Sequence, residues 1–413
     1  MKTLFDTVAE FISGDWGADI ESVEAPVLAH CIRAADVEPI EAHNYTTIPT
    51  RYLSRKSFTQ RQLKFGDIVI EKSGGSPTQS TGRVVYISHA LLSAKTNLVC
   101  SNFCTAIRLK REWHPYFVFQ YWRQVYNAKV FFNYEGKTSG LKNLQLETAM
   151  KSIPIPKIDP PTQLRIAGLL GSLDEKIELN RRKIAELEAL AKTIYDYWFV
   201  QFDFPDKNGR PYKSSGGKMI WNSQLKREVP VGWDICSIGE LCNCYDSKRI
   251  PLSGKQRAKM RGNIPYYGAT GIMDFVNKYI FDGEYLLFAE DGSVMTADGF
   301  PILQIINGKT WVNNHAHILS PRIKCSVKFL QLHFQNLPVR RIKTGSIQPK
   351  ITKNNLFAFK VLSIPKNVLE MADGLFGSIQ KAIQVLSQTI SNLVLQRDSL
   401  LPLLMNGQVN VGE

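Results

Sequence analysis

The side chains best placed by type and spacing to engage a ligand are cationic. Arg51, Arg55, Lys56, Arg61 and Lys64 precede a turn at Gly66. After it, Lys72, Ser73, Gly74, Gly75, Ser76, Thr78 and Arg83 form a small-residue loop whose bare backbone could approach phosphates or base edges closely. Lys248, Arg249, Lys255, Arg257, Lys259 and Arg261 make the densest basic run. Tyr266, Tyr267 and Gly268 follow it, then Gly292 and Ser293, then Arg340, Arg341, Lys343 and Lys350. Any one cluster is also what a solvated face looks like. Two clusters in a chain of net charge +14 point to a polyanion, because lysine and arginine release condensed counterions from phosphates.

A search for catalytic constellations finds decoys. Asp159, Pro160, Pro161 and Thr162 have the Asp-Pro-Pro start of a base-stacking methyltransferase loop, but Thr162 supplies no ring, and prolines are expected where a helix begins. No G-x-G-x-x-G loop follows a strand, and no phosphate-binding G-x-x-x-x-G-K-S/T run is present. Cys236, Cys242 and Cys244 cluster, as do Cys100 and Cys104, without paired C-x-x-C spacing, which favours buried thiols over zinc. His315 and His317 alternate on a strand-like run, as a satisfied structural pair would. The expectation is a chain that holds no metal or cofactor; a fused or degenerate methyltransferase or nuclease and a coiled-coil assembly scaffold stay open beside a binding role.

Two long helices must carry these clusters. From Gln163 to Phe199, residues Ile166, Leu170, Leu173, Ile177, Asn180, Ile184, Leu187, Ala191 and Ile194 follow one another at steps of four and three, a heptad seam. Moving each position forward by 209 residues gives Leu375, Ile379, Ala382, Leu386, Thr389, Leu393, Gln396, Leu400 and Leu403. Since a lone stripe cannot bury itself, the two runs are expected to pair antiparallel, with Asn180 opposite Thr389. About 29 residues at 1.5 Å each give a strut of roughly 43 Å.

The remaining stretches read as two mixed heads. Leu4, Phe5, Val8, Phe11 and Ile12 suggest an opening amphipathic helix ended by Gly14, and Ile68–Ile70 and Arg83–Ile87 suggest strands. The expected order is a first head (1–157), a first long helix (158–201), a connector (202–233), a second head (234–366) and a second long helix (367–408). Ile153 to Lys157 and Ser363 to Lys366 are proline-bearing exits into the helices. Gly66-Asp67 before one strand and Gly283-Glu284 before another mark an internal repeat. The class is α+β: two globular α/β heads separated by two long helices forming an antiparallel coiled coil with pseudo-twofold repeat. No run of eighteen apolar residues predicts a membrane span. An N-terminus without an apolar signal core and seven scattered cysteines suit a cytoplasmic, reducing setting.

With this layout the chain resembles the specificity subunits of type I restriction-modification systems along essentially its whole length. The proline exits carry the likeness, together with the run from Ile166 to Ile177, Tyr197 to Phe204, Gly209 to Gly217, and Val229 to Trp233. The resemblance implies two target-recognition domains, each reading half of a split DNA site, and a helix pair that sets the spacer. It implies docking of two methyltransferase subunits, through faces that include Glu175, Glu178, Arg181, Arg182, Glu186 and Glu188. Those partners would use S-adenosylmethionine to methylate adenine, and restriction subunits driven by ATP and Mg could join.

Overall fold

The computed structural model describes residues 2–74, 79–138, 141–345 and 349–409. The chain divides into two compact units, Met1–Arg182 with Ser387–Glu413, and Lys183–Leu386.

In the first unit a four-stranded antiparallel sheet runs in the order Val8–Ser13, Cys104–Leu109, Ile68–Glu71, Val84–Tyr86. Ile68, Ile70, Val84 and Ile107 face a core shared with the helix Pro115–Asn127, while Val69, Val85 and Ala106 face a second core with Ile32, Leu98 and Cys100. Burial on both faces explains why Ile68–Glu71 is buried at every residue instead of alternating. A smaller sheet has Val27–Ile32 antiparallel to Thr50–Leu53 and parallel to Leu98–Cys100.

The opening segment is not a helix. A 3-10 turn, Phe5–Thr7, leads into the strand Val8–Ser13, which carries a bulge between Val8 and Glu10. The extra residue flips the alternation, so Val8 enters one core and Ile12 the other. A bulged strand that sends one residue into each of two cores thus mimics helical spacing.

The second unit repeats the topology. Its central sheet runs Cys242–Cys244, Ala316–Pro321, Tyr285–Ala289, Leu303–Ile306. Its smaller sheet has Arg261–Tyr267 antiparallel to Ile272–Val276 and parallel to Lys309–Val312, and adds a fourth strand, Phe281–Asp282, antiparallel to Lys309–Val312. Each unit then adds a helix (Pro115–Asn127; Val327–Phe334), a hairpin (Glu135–Thr138 with Leu141–Leu144; Lys343–Thr344 with Lys350–Ile351), a short helix (Leu146–Ser152; Lys353–Ala358) and an exit into a long helix. The run read as a connector is partly core: Phe204 stacks on Tyr212 at 4.8 Å and on Trp233 at 5.0 Å, and Arg227 lies 4.4 Å over Phe202.

The long helices span Pro160–Tyr195 and Lys366–Met405. In the first unit Ile166 and Leu170 share a core with Leu401, Leu404 and Met405, and Arg397 donates to Asp174 at 2.7 Å. In the second unit Ala191, Tyr195 and Phe199 share a core with Ala372, Phe376, Ile379 and Ile383. The start of one helix meets the end of the other in each case, so the pairing is antiparallel.

All nine positions of the first seam are buried or half-buried. The second seam is only half in phase: Ile379, Leu386, Leu393 and Leu400 face inward, whereas Leu375, Gln396 and Leu403 are exposed. The buried residues are the next ones along, Phe376, Ile383 and Leu404, while Ala382 and Thr389 are half-buried. The reason is an offset of 206 residues instead of 209, which superimposes Leu169-Leu170-Gly171-Ser172-Leu173 on Leu375-Phe376-Gly377-Ser378-Ile379. Leu386, not Thr389, is therefore the counterpart of Asn180.

This packing separates two neighbouring positions experimentally. Phe376→Ala is expected to cost about 3–5 kcal/mol in denaturant titrations of the whole chain, and Leu375→Ala under about 1 kcal/mol; equal costs would restore the 209 phase. His333, whose Nδ1 lies 2.9 Å from the Tyr195 hydroxyl, is drawn by burial from 6.5 down to about 4. The fold thus holds it neutral, and stability is complete above pH 6.5 and lost as the pH falls towards 4. His333→Gln should remove that part of the pH dependence.

Candidate nucleic-acid interface

In the first unit most arginines singled out from the sequence are committed to internal contacts. Glu71, buried at its strand's end, takes two 2.8 Å bonds from Arg83. Arg51 stacks 3.8 Å over Trp16 and pairs with Asp19; Arg61 donates to Ser57 at 3.1 Å. These three are structural. Arg55, Lys56 and Lys64 stand exposed, and Lys72 is half-exposed. Ser73–Gly74 pairs with Leu141–Leu144, setting Gly74 opposite Lys142 and Ser73 opposite Asn143. Gly74 has φ +144, and a Cβ there would lie 2.6 Å from a Glu71 carboxylate oxygen. Gly75, Ser76 and Thr78 lie outside the described residues.

The second unit has a related clamp. Glu290 receives Arg249 at 2.5 Å and Lys350 at 3.4 Å, and Arg249 also donates to the Ala316 carbonyl at 2.8 Å. His317 bridges Asp246 (2.6 Å) and the Ile351 carbonyl (2.8 Å). Burial pushes the Asp246 carboxyl up, but the His317 hydrogen bond and charge, the Ile318 amide and Arg249 outweigh it and hold the group below 3.8. Cys244, Asp246 and His317 lie within 4.8 Å of one another, a metal-ligand set by residue type, with the imidazole and carboxylate engaged in these bonds. His315 stands half-exposed beside Asp291 at 3.7 Å, so the two histidines do not form a pair.

Three further candidates change role. Arg257 is held by Asp274 at 2.9 Å and by the Leu252 carbonyl at 2.7 Å. Tyr266 is buried and accepts from the Leu252 amide, and Tyr267 packs against a core, where burial pushes its hydroxyl up. Their spacing next to a basic run fits a small sheet's interior as well as it fits DNA contact. Lys248, Lys255, Lys259, Arg261, Arg340 and Arg341 are exposed and Lys343 half-exposed.

A bridge between Asp291 and Lys350 sets the exposed Gly292-Ser293 turn beside the 343–351 hairpin, much as Ser73–Gly74 sits beside the 135–144 hairpin. Each unit thus presents a small-residue turn and a lysine-bearing hairpin anchored to buried acids, which suits close backbone approach to a polyanion. Sequence reasoning missed Lys142, paired with Glu135 at 3.0 Å; Gly136 and Gly140, four residues apart, were the available hairpin signal.

Among the described residues no helix is long and apolar enough to cross a membrane. The type I restriction modification DNA specificity domain matches residues 44–189 and 230–389. A putative type I restriction enzyme specificity subunit of Haemophilus influenzae is 32% identical over 142 residues, 33% of this chain and 36% of that protein, so the match spans about a third of its length. The type I restriction enzyme MjaIX specificity subunit of Methanocaldococcus jannaschii is 22% identical over 91% of this chain and 87% of its own. The crystal structure of an S subunit from M. genitalium shares the fold at TM-score 0.56 and 16% identity, covering 98% and 95% of the two chains.

Exposed cations and clamped arginines predict different phenotypes. Replacing Lys255, Lys259 and Arg261 by alanine should lower the salt slope of DNA binding by about one for each phosphate no longer neutralised, with the fold intact. Arg249→Ala should instead cost about 3–5 kcal/mol of stability by stranding Glu290. A salt slope unchanged by the triple replacement would remove that surface from the interface.

Proposed function

Because the chain belongs to the type I restriction modification DNA specificity family, we propose that it is the DNA-recognition subunit of a type I restriction-modification complex. Each unit reads one half of a bipartite site in double-stranded DNA, and the helix pair sets the unread spacer. The observation that carries the reading is the repeated strand order on two differently decorated units. The helix contacts support the ruler. From Asp174 to Tyr195 is 21 residues, and from Arg397 back to Phe376 is also 21, so the same antiparallel register serves both contacts.

The chain carries recognition and no catalytic step, and binds no cofactor itself. Two methyltransferase subunits use S-adenosylmethionine to methylate adenine, and restriction subunits using ATP and Mg can join. The docking faces are the outward sides of the long helices, where Leu179, Leu190, Val385 and Leu395 are exposed beside Glu175, Arg182, Glu186 and Glu188. Glu178 and Arg181 turn towards the body of the first unit instead: Glu178 is buried near His43, and Arg181 reaches the Glu41 carbonyl.

Methylation mapping in cells that express this chain with its neighbouring methyltransferase tests the reading. One bipartite adenine motif is expected. Removing a matched heptad from each helix, about 10 Å, should shorten the spacer by about three base pairs at 3.4 Å each and leave both half-sites unchanged. Altered half-sites would sink the ruler, and no motif from an assembled complex would favour a protein-assembly scaffold.

A further inference from the structure

We propose that the outer strand Ile272–Val276 of the second unit reads bases, with Met273 and Phe275 making apolar contact to base edges in the major groove, where a thymine methyl is the matching chemistry. This rests on the DNA-recognition reading above and names the side chains that would discriminate.

The two smaller sheets share a topology but treat this edge differently. In the first unit the equivalent strand, Thr50–Leu53, is closed on its outer side by Ala18, whose backbone exchanges hydrogen bonds of 2.8 and 2.9 Å with Tyr52. In the second unit Ile272–Val276 pairs with Arg261–Tyr267 and, among the described residues, with no strand on its outer side. Met273 is 56% exposed and Phe275 49%. An open edge bearing large apolar side chains invites aggregation and is ordinarily covered or charged.

The strand is held rigidly for a surface so exposed. Val276 is buried with Tyr266 and Trp311, Arg257 fixes Asp274, and the Met273 sulfur lies 3.3 Å from the Asn313 amide nitrogen. A Cβ on Gly268 would come within 2.4 Å of that sulfur, so glycine at 268 lets the Met273 side chain keep this position. Preorganisation of this kind reduces the ordering cost of binding.

Charge selects the occupant. Between Gly254 and Phe281 the only acidic residue is Asp274, which Arg257 neutralises. Lys255 and Lys259 lie on the adjoining short helix, Arg261 stands opposite Val276, and Lys278 follows the strand. Apolar side chains on an edge flanked by cations fit base edges lying between phosphate backbones. They do not fit a basic or purely apolar protein surface.

The test uses the full chain in complex with its methyltransferase, comparing wild type, Met273→Ala, Phe275→Ala and Phe275→Leu by methylation mapping and by binding to oligonucleotides substituted at each motif position. The alanine variants should lose about tenfold discrimination or more at one or two positions of one half-site. The other half-site, the salt slope and complex assembly should not change, and Phe275→Leu should retain part of the discrimination. Unchanged discrimination in complexes that still methylate would overturn the proposal, as would weakened assembly with discrimination unchanged in the complexes that form, which would mark a protein contact. A wild-type complex that recognises no motif would instead refute the DNA-recognition reading on which the proposal rests.

Discussion

Each unit is completed by a helix that returns from elsewhere in the chain. A long amphipathic helix alone leaves its stripe in water, and here the stripe of each helix is covered by the other. In the first unit the contact centres on Asp174, which accepts from Tyr116, from Gln120 at 2.8 Å and from Arg397 at 2.7 Å. Three donors satisfy a carboxylate that would be costly to desolvate unpaired. The partner arginine is 223 residues away, and Leu401, Leu404 and Met405 enter the same core as Leu4 and Ile166. The first unit therefore closes only when the last helix arrives, a non-local step that must meet its loop-closure entropy before the contacts reward it.

The same framework supports two different surfaces because buried charge anchors it at related places. Glu71 with Arg83 in one unit, and Glu290 with Arg249 in the other, fasten the ends of corresponding strands. Hairpin lysines meet Glu135 and Glu290. A planar, weakly hydrated guanidinium suits buried paired contacts such as those of Arg83 and Arg249. The cations thus divide into those that hold acids inside the fold, Arg83, Arg249 and the hairpin lysines among them, and those left exposed, among them Lys255, Lys259, Arg261, Arg340 and Arg341.

This division marks what could be read from the residues alone. The first helix was legible because its heptad seam is apolar at every position except Asn180, and all nine positions are buried or half-buried. The second carries two apolar stripes one residue apart, through Leu375 and Leu403 on one side and Phe376 and Leu404 on the other, so periodicity could not choose between them. Only burial against each unit's own core separates the pair. The opening strand failed for a related reason, since a bulge gives Val8 and Ile12 helical spacing while sending them to opposite faces. Cationic clusters were legible as clusters, but the partners of Arg51, Arg83 and Arg249 lie 32, 12 and 41 residues away, beyond any local pattern.

Substitution is structurally cheap at some places in this fold and costly at others. Large-to-small changes in a packed core cost several kcal/mol, while surface changes away from caps and buried pairs stay within about 0.5 kcal/mol. In this chain the exposed edge positions of the smaller sheets are of the cheap kind, whereas the central strands, the clamped arginines, the helix seams and the positive-φ turn glycines Gly74 and Gly292 are not. The edge that Ala18 closes in one unit and that stands open in the other is a difference of this tolerated kind: it alters the presented surface while the strand order behind it stays the same.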